Sequence, residues 1–217
     1  MDVKALLEIR TNFIRFYYLE AIKPFKKIQN AIENEMPPYD KPPFDESGEP
    51  PFLMEWCDAE HGVEFVGLNC VFLLSDSLKL FFDALFARVL CLEFKDKRKA
   101  FKHGFVRAYE DALSKHFDID WGQVDVDFDL IEQVVLARNN AQHGERLSDI
   151  SSYHNDMTVK KFSYPFFADQ NDFKLMVEGN YFLPLKICVS ENSLFGAIDE
   201  IMKMAKVIDE KVYGPTL

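Results

Sequence analysis

The longest apolar stretch of the chain, residues 56–92, constrains its fold most strongly. Apolar residues recur there at helical spacing and cover nearly the whole circumference of the predicted helix. They include Phe65, Leu68, Phe72, Leu78, Phe81, Phe82, Leu85 and Phe86. A helix that is apolar on all sides is stable in water only when other elements surround it. The stretch therefore predicts the central helix of a mainly α-helical bundle.

Polar residues interrupt this central helix at Asp76, Lys79 and Asp83. The two aspartates share one face, but two helical turns separate them. This separation is too large for both carboxylates to bind one metal ion. We interpret them as part of a solvent-facing side of the helix.

Further helices are predicted on both sides of the central one. Residues 1–36 are predicted to form one long N-terminal helix or a helix kinked near Pro24, because proline removes a hydrogen bond and clashes with the preceding turn. Residues 97–116 and 130–143 also show helical spacing, and residues 191–213 carry a regular three-four repeat of apolar side chains. These helices can cover the central one.

The segment before the last helix, residues 172–190, predicts a different structure. Residues 174–178 and 184–190 are interpreted as two short strands, and Gly179 with Asn180 provides the turn between them. We therefore expect a small β-hairpin attached to the bundle.

Length and composition agree with one domain spanning residues 1–217. A chain of this length with 48% hydrophobic residues can bury one sizeable core without disulfides or metals. Residues 37–55 contain six prolines and predict an irregular surface loop. The expected architecture is an up-and-down bundle of about five helices, in which residues 56–145 form the central part and residues 191–213 the C-terminal helix.

The cysteines and the N-terminus indicate the compartment. The cysteines show no C-x-x-C spacing and lie among apolar residues, which predicts small buried side chains in a reducing cytosol. They are Cys57, Cys70, Cys91 and Cys188. No basic N-terminal region precedes an apolar run. We therefore expect a soluble cytoplasmic protein with no membrane association and no cofactor.

The formal net charge of −11 limits how the chain could bind nucleic acid. Proteins that coat nucleic acid need a broad positive field, whereas an enzyme needs only a local site. One basic cluster is present and comprises Lys95, Lys97, Arg98, Lys99, Lys102 and Arg107, with His103 among them. Two interpretations of this cluster remain open: a solvated helix start or a track for RNA phosphates.

Residues 118–129 form an acidic loop that superficially resembles a calcium-binding loop. Its aspartates do not follow the D-x-D-x-D-G-x5-E order, because the glycine stands at the wrong position. We instead expect Asp127 or Asp129 to cap the helix that begins near Leu130.

The helix predicted at residues 130–143 carries a polar patch on a broad apolar arc. The arc comprises Leu130, Ile131, Val134, Val135, Ala137 and Ala141. Arg138 points into its middle, where a guanidinium is costly unless it is paired or binds an anion. Asn139 and His143 lie four residues apart on an adjoining face, and Gln142 follows Arg138 by the same spacing. Arginine, asparagine, glutamine and histidine are thus gathered in one patch.

Residues 138–143, Arg-Asn-Asn-Ala-Gln-His, resemble the R-x4-6-H signature of the HEPN superfamily, including the polar residue directly after the arginine. The resemblance extends more loosely from about residue 55 to the C-terminus and is closest to a bacterial HEPN-like branch. It implies an all-α, usually dimeric domain and, for many members, metal-independent ribonuclease activity in toxin and antiphage systems. A second match, Arg98 to His103, is rejected because Lys99 follows its arginine within a solvated basic run.

The resemblance and the residue chemistry together assign roles within the patch. Arginine can hold two phosphate oxygens at once, and histidine can carry protons near neutral pH. We therefore expect Arg138, His143 and Asn139 to be catalytic, with no metal ion. The expected substrate-binding residues are Gln142, Asn140, Lys95, Arg98, Lys99 and Lys102.

The expected partners are an RNA substrate, a second copy of the chain, and an antitoxin or defence-system protein. The homodimer is expected because the arc around Arg138 is wider than one bundle face needs. The tyrosine that some HEPN toxins carry two residues after the histidine is replaced here by Glu145. This replacement weakens the case for the antitoxin that modifies that tyrosine.

Structural roles and a non-catalytic function remain open alternatives. Arg138 could form a buried structural ion pair, and His143 could cap the C-terminus of its helix. The chain as a whole could be a HEPN-like module that binds a nucleotide, RNA or protein without cleaving anything. Its acidic balance favours this alternative, whereas the presence of both Arg138 and His143 favours the enzyme.

Overall fold

The computed structural model of the protein describes residues 2–42, 48–142, 151–162, 164–179 and 184–214. These residues are mainly helical, which confirms the predicted fold class at that level. The helices are α1 (Val3–Ala21), α2 (Lys23–Glu33), α3 (Leu53–Ala84), α4 (Lys97–Ala100), α5 (Phe105–Phe117), α6 (Phe128–Gln142), α7 (Asp156–Lys161), α8 (Gln170–Val177) and α9 (Glu191–Tyr213). A π-helical turn, Leu85–Leu90, follows α3, and short 3-10 turns lie at Phe101–His103 and Trp121–Gln123.

The N-terminal helix is divided at Ile22, as the proline predicted. Pro24 occupies the start of α2, where a missing backbone N–H is tolerated. The break redirects the chain so that α2 packs on the first half of α3, with Phe25 lying against Gly62.

The central position of α3 is confirmed. The helix begins at Leu53, slightly earlier than predicted, and α1, α2, α6 and α9 lie against it. Residues Leu53–Leu90 are long and apolar enough to cross a membrane, but 61% of the most apolar window is buried inside the fold. Such burial is typical of the core helix of a water-soluble protein.

The predicted helix at 97–116 is interrupted at Gly104, so the prediction of one continuous helix is wrong. Gly104 has φ 116°, a conformation that side-chain-bearing residues rarely adopt. A Cβ at Gly104 would lie 2.7 Å from Glu132 Oε1, so α5 approaches α6 closely at this point. Both the conformation and the lack of space require glycine here.

The predicted β-hairpin is wrong over its first strand. Residues 174–178 lie in and just after helix α8, because Asp169 caps that helix by accepting hydrogen bonds from the backbone N–H groups of Asn171 and Asp172. Residues 180–183 lie outside the described residues. The second predicted strand, 184–190, has no regular secondary structure in the described residues apart from an isolated antiparallel bridge between Tyr153 and Lys186.

Helix α9 closes the bundle, and its predicted apolar repeat is buried. The helix begins at a capping box formed by Ser190 and Ser193. It runs antiparallel to α1, since the Lys4–Asp209 and Arg15–Asp199 ion pairs join opposite ends of the two helices. The same helix also lies against α3 and α6, and this arrangement holds the motif-bearing helix α6 in place.

Candidate functional site

Helix α6, which carries the motif, is capped as predicted. The Asp127 carboxylate accepts a hydrogen bond of 2.9 Å from the Leu130 backbone N–H. The backbone N–H of Asp127 in turn donates to Glu200 on α9, which attaches the start of α6 to the last helix. The aspartate-rich loop therefore supplies a helix cap and a tertiary contact.

The apolar arc of α6 is used inside the molecule. Ile131, Val134 and Ala137 are fully buried in the core cluster. The sequence predicted that part of this arc would be left over for a subunit contact. The structure leaves no such surplus at these positions, because α3, α5 and α9 all lie against α6.

Helix α6 also carries two buried polar residues that the sequence did not predict, Glu132 and Gln133. Glu132 accepts a hydrogen bond of 2.7 Å from Lys161 Nζ and lies 3.3 Å from Arg107 Nε. Gln133 accepts a hydrogen bond of 2.7 Å from the backbone N–H of Phe166. These partners satisfy groups that would otherwise be costly to bury. No local signal marks these two residues as buried, since two of their partners, Lys161 and Phe166, come from the segment after the motif.

Arg138 lies at the edge of the buried arc rather than inside it. Its side chain is 33% exposed, and Nη2 stands 3.8 Å from the carboxylate of Asp76, which is itself 58% exposed. Nη1 donates a hydrogen bond of 3.1 Å to Asn139 Oδ1. A long, exposed ion pair contributes little to stability and is screened by salt. The guanidinium is therefore accessible to an anion, and the alternative of a buried structural ion pair does not describe it.

Asn140 has a structural environment that the sequence did not predict. Its side-chain oxygen accepts a hydrogen bond of 2.8 Å from Asn155, which is the N-cap of α7. Its amide nitrogen lies 3.4 Å from Thr158 Oγ1. Asn140 thus ties the motif helix to the following segment, whereas Gln142 at the end of α6 is exposed.

The other half of the predicted catalytic pair, His143, lies outside the described residues, as does Glu145. Helix α6 is described to Gln142, directly before the histidine. The structure therefore places Arg138 and Asn139 together at the C-terminal end of α6, and the position of His143 relative to them stays a prediction.

The basic cluster forms a separate, exposed segment. Lys95, Arg98, Lys99 and Lys102 are all exposed, on and around the short helix α4. Within the described part of the chain, no hydrogen bond or ion pair joins them to Arg138. His103 is also exposed, in the 3-10 turn after α4. Arg107, by contrast, pairs with Glu110, Asp129 and Glu132 and belongs to the α5–α6 contact.

Metal-binding side chains and likeness to known proteins both bear on the site. In the residues that the structure describes, no group of three or more histidine, cysteine, aspartate or glutamate side chains is placed to hold a metal ion. No protein-family model, curated protein or solved structure matches the chain.

Proposed function

We propose that the protein is a HEPN-type, metal-independent endoribonuclease. The observation that carries the proposal is the state of Arg138: a partly exposed guanidinium, loosely paired, beside the Asn139 amide and five residues before His143. A phosphate group can displace the distant Asp76 carboxylate at little cost, because exposed ion pairs of this kind are weak.

The proposed reaction uses the 2′-hydroxyl of the RNA as its nucleophile. The 2′-oxygen attacks the adjacent phosphorus, and the 5′-oxygen of the next nucleotide leaves. His143 carries protons between these two oxygens, since imidazole titrates near neutral pH. Arg138 neutralises the charge that grows on the phosphoryl oxygens, and Asn139 orients the guanidinium that donates to it. The products end in a 2′,3′-cyclic phosphate and a 5′-hydroxyl.

The basic segment and the cellular context complete the proposal. Lys95, Arg98, Lys99 and Lys102 bind RNA phosphates outside the reacting centre, which accounts for a local positive segment on an acidic protein. The enzyme acts in the cytoplasm as a toxin or antiphage effector, and an antitoxin or defence-system protein controls it. Gln142 contributes to RNA binding from the exposed end of α6.

Substitution of the two motif residues tests this proposal. We expect Arg138→Ala to lower the cleavage rate by on the order of a hundredfold, because it removes a charge-stabilising donor. We expect His143→Ala to lower the rate by about 10²–10⁴-fold, because it removes the proton carrier. Cleavage of bulk RNA is measured with excess EDTA, and the cyclic phosphate ends are identified by mass spectrometry.

The matched control is Arg98→Ala combined with His103→Ala, which removes the same residue types at the same spacing. We expect this variant to cleave at nearly the native rate. It should bind RNA more weakly than the native protein, with an affinity that falls as salt is added. Melting temperatures show whether each variant is folded, and Arg138→Ala should melt close to the native protein because its ion pair is exposed. A native protein that binds RNA but cleaves none, or motif variants that cleave as fast as the native chain, would favour the non-catalytic binding module.

A further inference from the structure

An open apolar groove of about 590 Å³ lies between helices α1 and α3. The two helices are antiparallel there. Arg10 of α1 donates a hydrogen bond to Ser77 of α3, whereas Val3, two turns earlier on α1, lines a small cleft with Leu85, about two turns beyond Ser77. The volume is within the range of roughly 300–1,000 Å³ that small-molecule sites occupy. We call this feature the α1–α3 groove.

The walls of the α1–α3 groove are large apolar side chains that the core does not use. Leu6 and Ile9 of α1 are 47% and 66% exposed, and Leu80 of α3 is 52% exposed. All three line the groove and lie outside the core cluster. A contiguous apolar surface of this kind is typical of a ligand-binding groove.

One end of the groove is formed where α3 changes its winding. The π-helical turn Leu85–Leu90 follows α3 there, and π turns within helices are frequent at functional sites. Ala84 and Ala87 line this end of the groove. Their side chains are small, so the space between the helices stays open.

The other end of the groove carries a cation that is available to a ligand. Nε of Arg10 donates a hydrogen bond of 2.9 Å to Ser77 Oγ, and the Ser77 hydroxyl donates to the Leu73 carbonyl oxygen. Among the described residues, no carboxylate pairs with the exposed Arg10 side chain. Ser77 therefore orients the guanidinium and leaves both terminal nitrogens for a partner. This planar pair of donors suits a carboxylate.

The charges along the groove give it a direction. Asp83 is the carboxylate among its described lining residues, and it accepts a hydrogen bond of 3.0 Å from the Tyr109 hydroxyl. Asp83 lies one turn before Ala87, toward the end that Arg88 also lines. A carboxylate there opposes a second anion, whereas Arg10 attracts one at the opposite end.

The dimensions of the groove favour an alkyl chain over a helix of another protein. Ser77 and Ala87 are ten residues apart, which corresponds to roughly 15 Å along the helix. An extended chain of about twelve carbons has that length, because each C–C bond of about 1.5 Å advances it by slightly less. A helix of the same length and about 10 Å diameter occupies roughly 1,200 Å³, twice the volume of the groove. The net charge of −11 opposes docking of this groove on an anionic membrane.

We propose that the α1–α3 groove binds a free fatty acid, a monocarboxylate with one unbranched alkyl chain of about ten to fourteen carbons. The carboxylate pairs with Arg10, and the end of the chain lies between Ala84 and Ala87. The proposal does not depend on ribonuclease activity, since none of the residues that line the groove belongs to the polar patch of α6.

The first test separates the carboxylate from the alkyl chain. Decanoate and decanol are titrated by calorimetry, below the concentrations at which they form micelles or separate. We expect decanoate to bind once per chain and more tightly than decanol. Arg10→Gln should raise the dissociation constant of decanoate by at least about tenfold, because it removes a charged hydrogen-bond partner, and should leave that of decanol unchanged. The matched control is Arg88→Gln, at the other end of the groove, which should bind decanoate nearly as tightly as the native chain.

The second test measures the length of the groove. For the native chain, each CH₂ added between octanoate and dodecanoate should lower the dissociation constant by about two- to fourfold. Ala87→Phe fills the end of the groove, so it should weaken dodecanoate binding by at least about tenfold and change octanoate binding little. Ala87 is exposed, so this variant should keep the native circular dichroism spectrum.

Several results would overturn the proposal. They are a native chain that binds no decanoate, decanol that binds as tightly as decanoate, and Arg10→Gln or Ala87→Phe variants that bind like the native chain. A loss of decanoate binding in Arg88→Gln rather than in Arg10→Gln would also contradict it. Binding to anionic lipid vesicles without binding of decanoate would favour a membrane instead. A dimer in sedimentation that excludes decanoate would show that a second copy covers the groove.

Discussion

His154 is deeply buried, and one of its two ring nitrogens has no hydrogen-bond partner among the described residues. Its Nε2 lies 2.8 Å from the carbonyl oxygen of Phe167, which requires the proton to be on Nε2 and leaves Nδ1 as a bare acceptor. The Phe167 carbonyl also accepts from the backbone N–H of Cys188. The Phe167 carbonyl oxygen therefore lies between the His154 imidazole and the backbone of Cys188 in the segment before α9.

At the residue scale, this environment predicts a pH dependence of stability. Burial lowers the pKa of His154 below its ordinary value of 6.5, since the charged imidazolium would be desolvated. The unfolded chain therefore binds a proton at a higher pH than the folded chain, and stability falls as the pH drops below about 6.5. We expect the native melting temperature to decrease between about pH 7.5 and pH 5.5 more steeply than that of His154→Gln.

The control for this prediction is His116→Gln, which removes an exposed histidine from the end of α5. It should keep the pH dependence of the native protein. If His154→Gln and the native chain respond to acid identically, the buried imidazole is not the group that titrates.

At the scale of single elements, the segment before α9 approaches α3 closely at Gly67. A Cβ there would lie 2.8 Å from Val189 Cβ and 3.0 Å from the Val189 carbonyl oxygen. On α9, a Cβ at Gly196 would lie 3.3 Å from the far end of the Phe166 ring, which can move more easily than backbone. The two glycines are both helical but differ in what surrounds them.

This difference predicts different results for the same substitution at the two positions. We expect Gly67→Ala to destabilise the protein by about 1–3 kcal/mol, because the segment before α9 must shift away from α3. Gly196→Ala should be close to neutral, since a gain of up to about 1 kcal/mol in helix propensity offsets a small adjustment of Phe166. Urea unfolding midpoints measure both effects. Equal midpoints for the two variants would show that Val189 does not lie tightly against α3.

At the scale of the whole molecule, α9 connects elements from both ends of the chain. It lies against α1, α3 and α6, and Ile201 at its centre is fully buried. Trp56 donates to Glu33 on α2, and Trp121 donates to the Glu110 carbonyl on α5. The two tryptophans therefore report on different parts of the bundle.

We expect these parts to unfold as one cooperative unit. Fluorescence of single-tryptophan variants that retain either Trp56 or Trp121 should give the same urea midpoint as circular dichroism. Ile201→Asp buries a carboxylate in apolar surroundings and should lower all three midpoints together. The free energy of unfolding should fall by several kcal/mol, out of a total of roughly 5–15 kcal/mol for a typical domain. Met157→Asp at an exposed position is the control. Separate midpoints for Trp56 and Trp121 would contradict the prediction of one domain.

Local sequence predicted α1, α2, α3, α6 and α9, but not α7 or α8. The apolar repeats of α3 and α9, the break at Pro24 and the cap at Asp127 each depend on residues within a turn or two of one another. Such features can be predicted because backbone geometry and capping are short-range. The strand predicted at 174–178 was wrong because a short apolar run fits either a strand or a helix. The cap at Asp169, which also lies close by in the sequence, favours the helix.

Only the tertiary structure decided which sides of the helices are covered. The sequence placed Arg138 in the middle of the apolar arc of α6, whereas the side chain lies at the edge of that arc and stands 3.8 Å from Asp76 of α3. The burial of Glu132 depends on Lys161, and the structural role of Asn140 depends on Asn155. Periodicity shows which side of a helix is apolar, whereas the partners that cover a polar side come from distant parts of the chain. For that reason the sequence located the candidate site on α6, and the fold determined which of its side chains remain accessible.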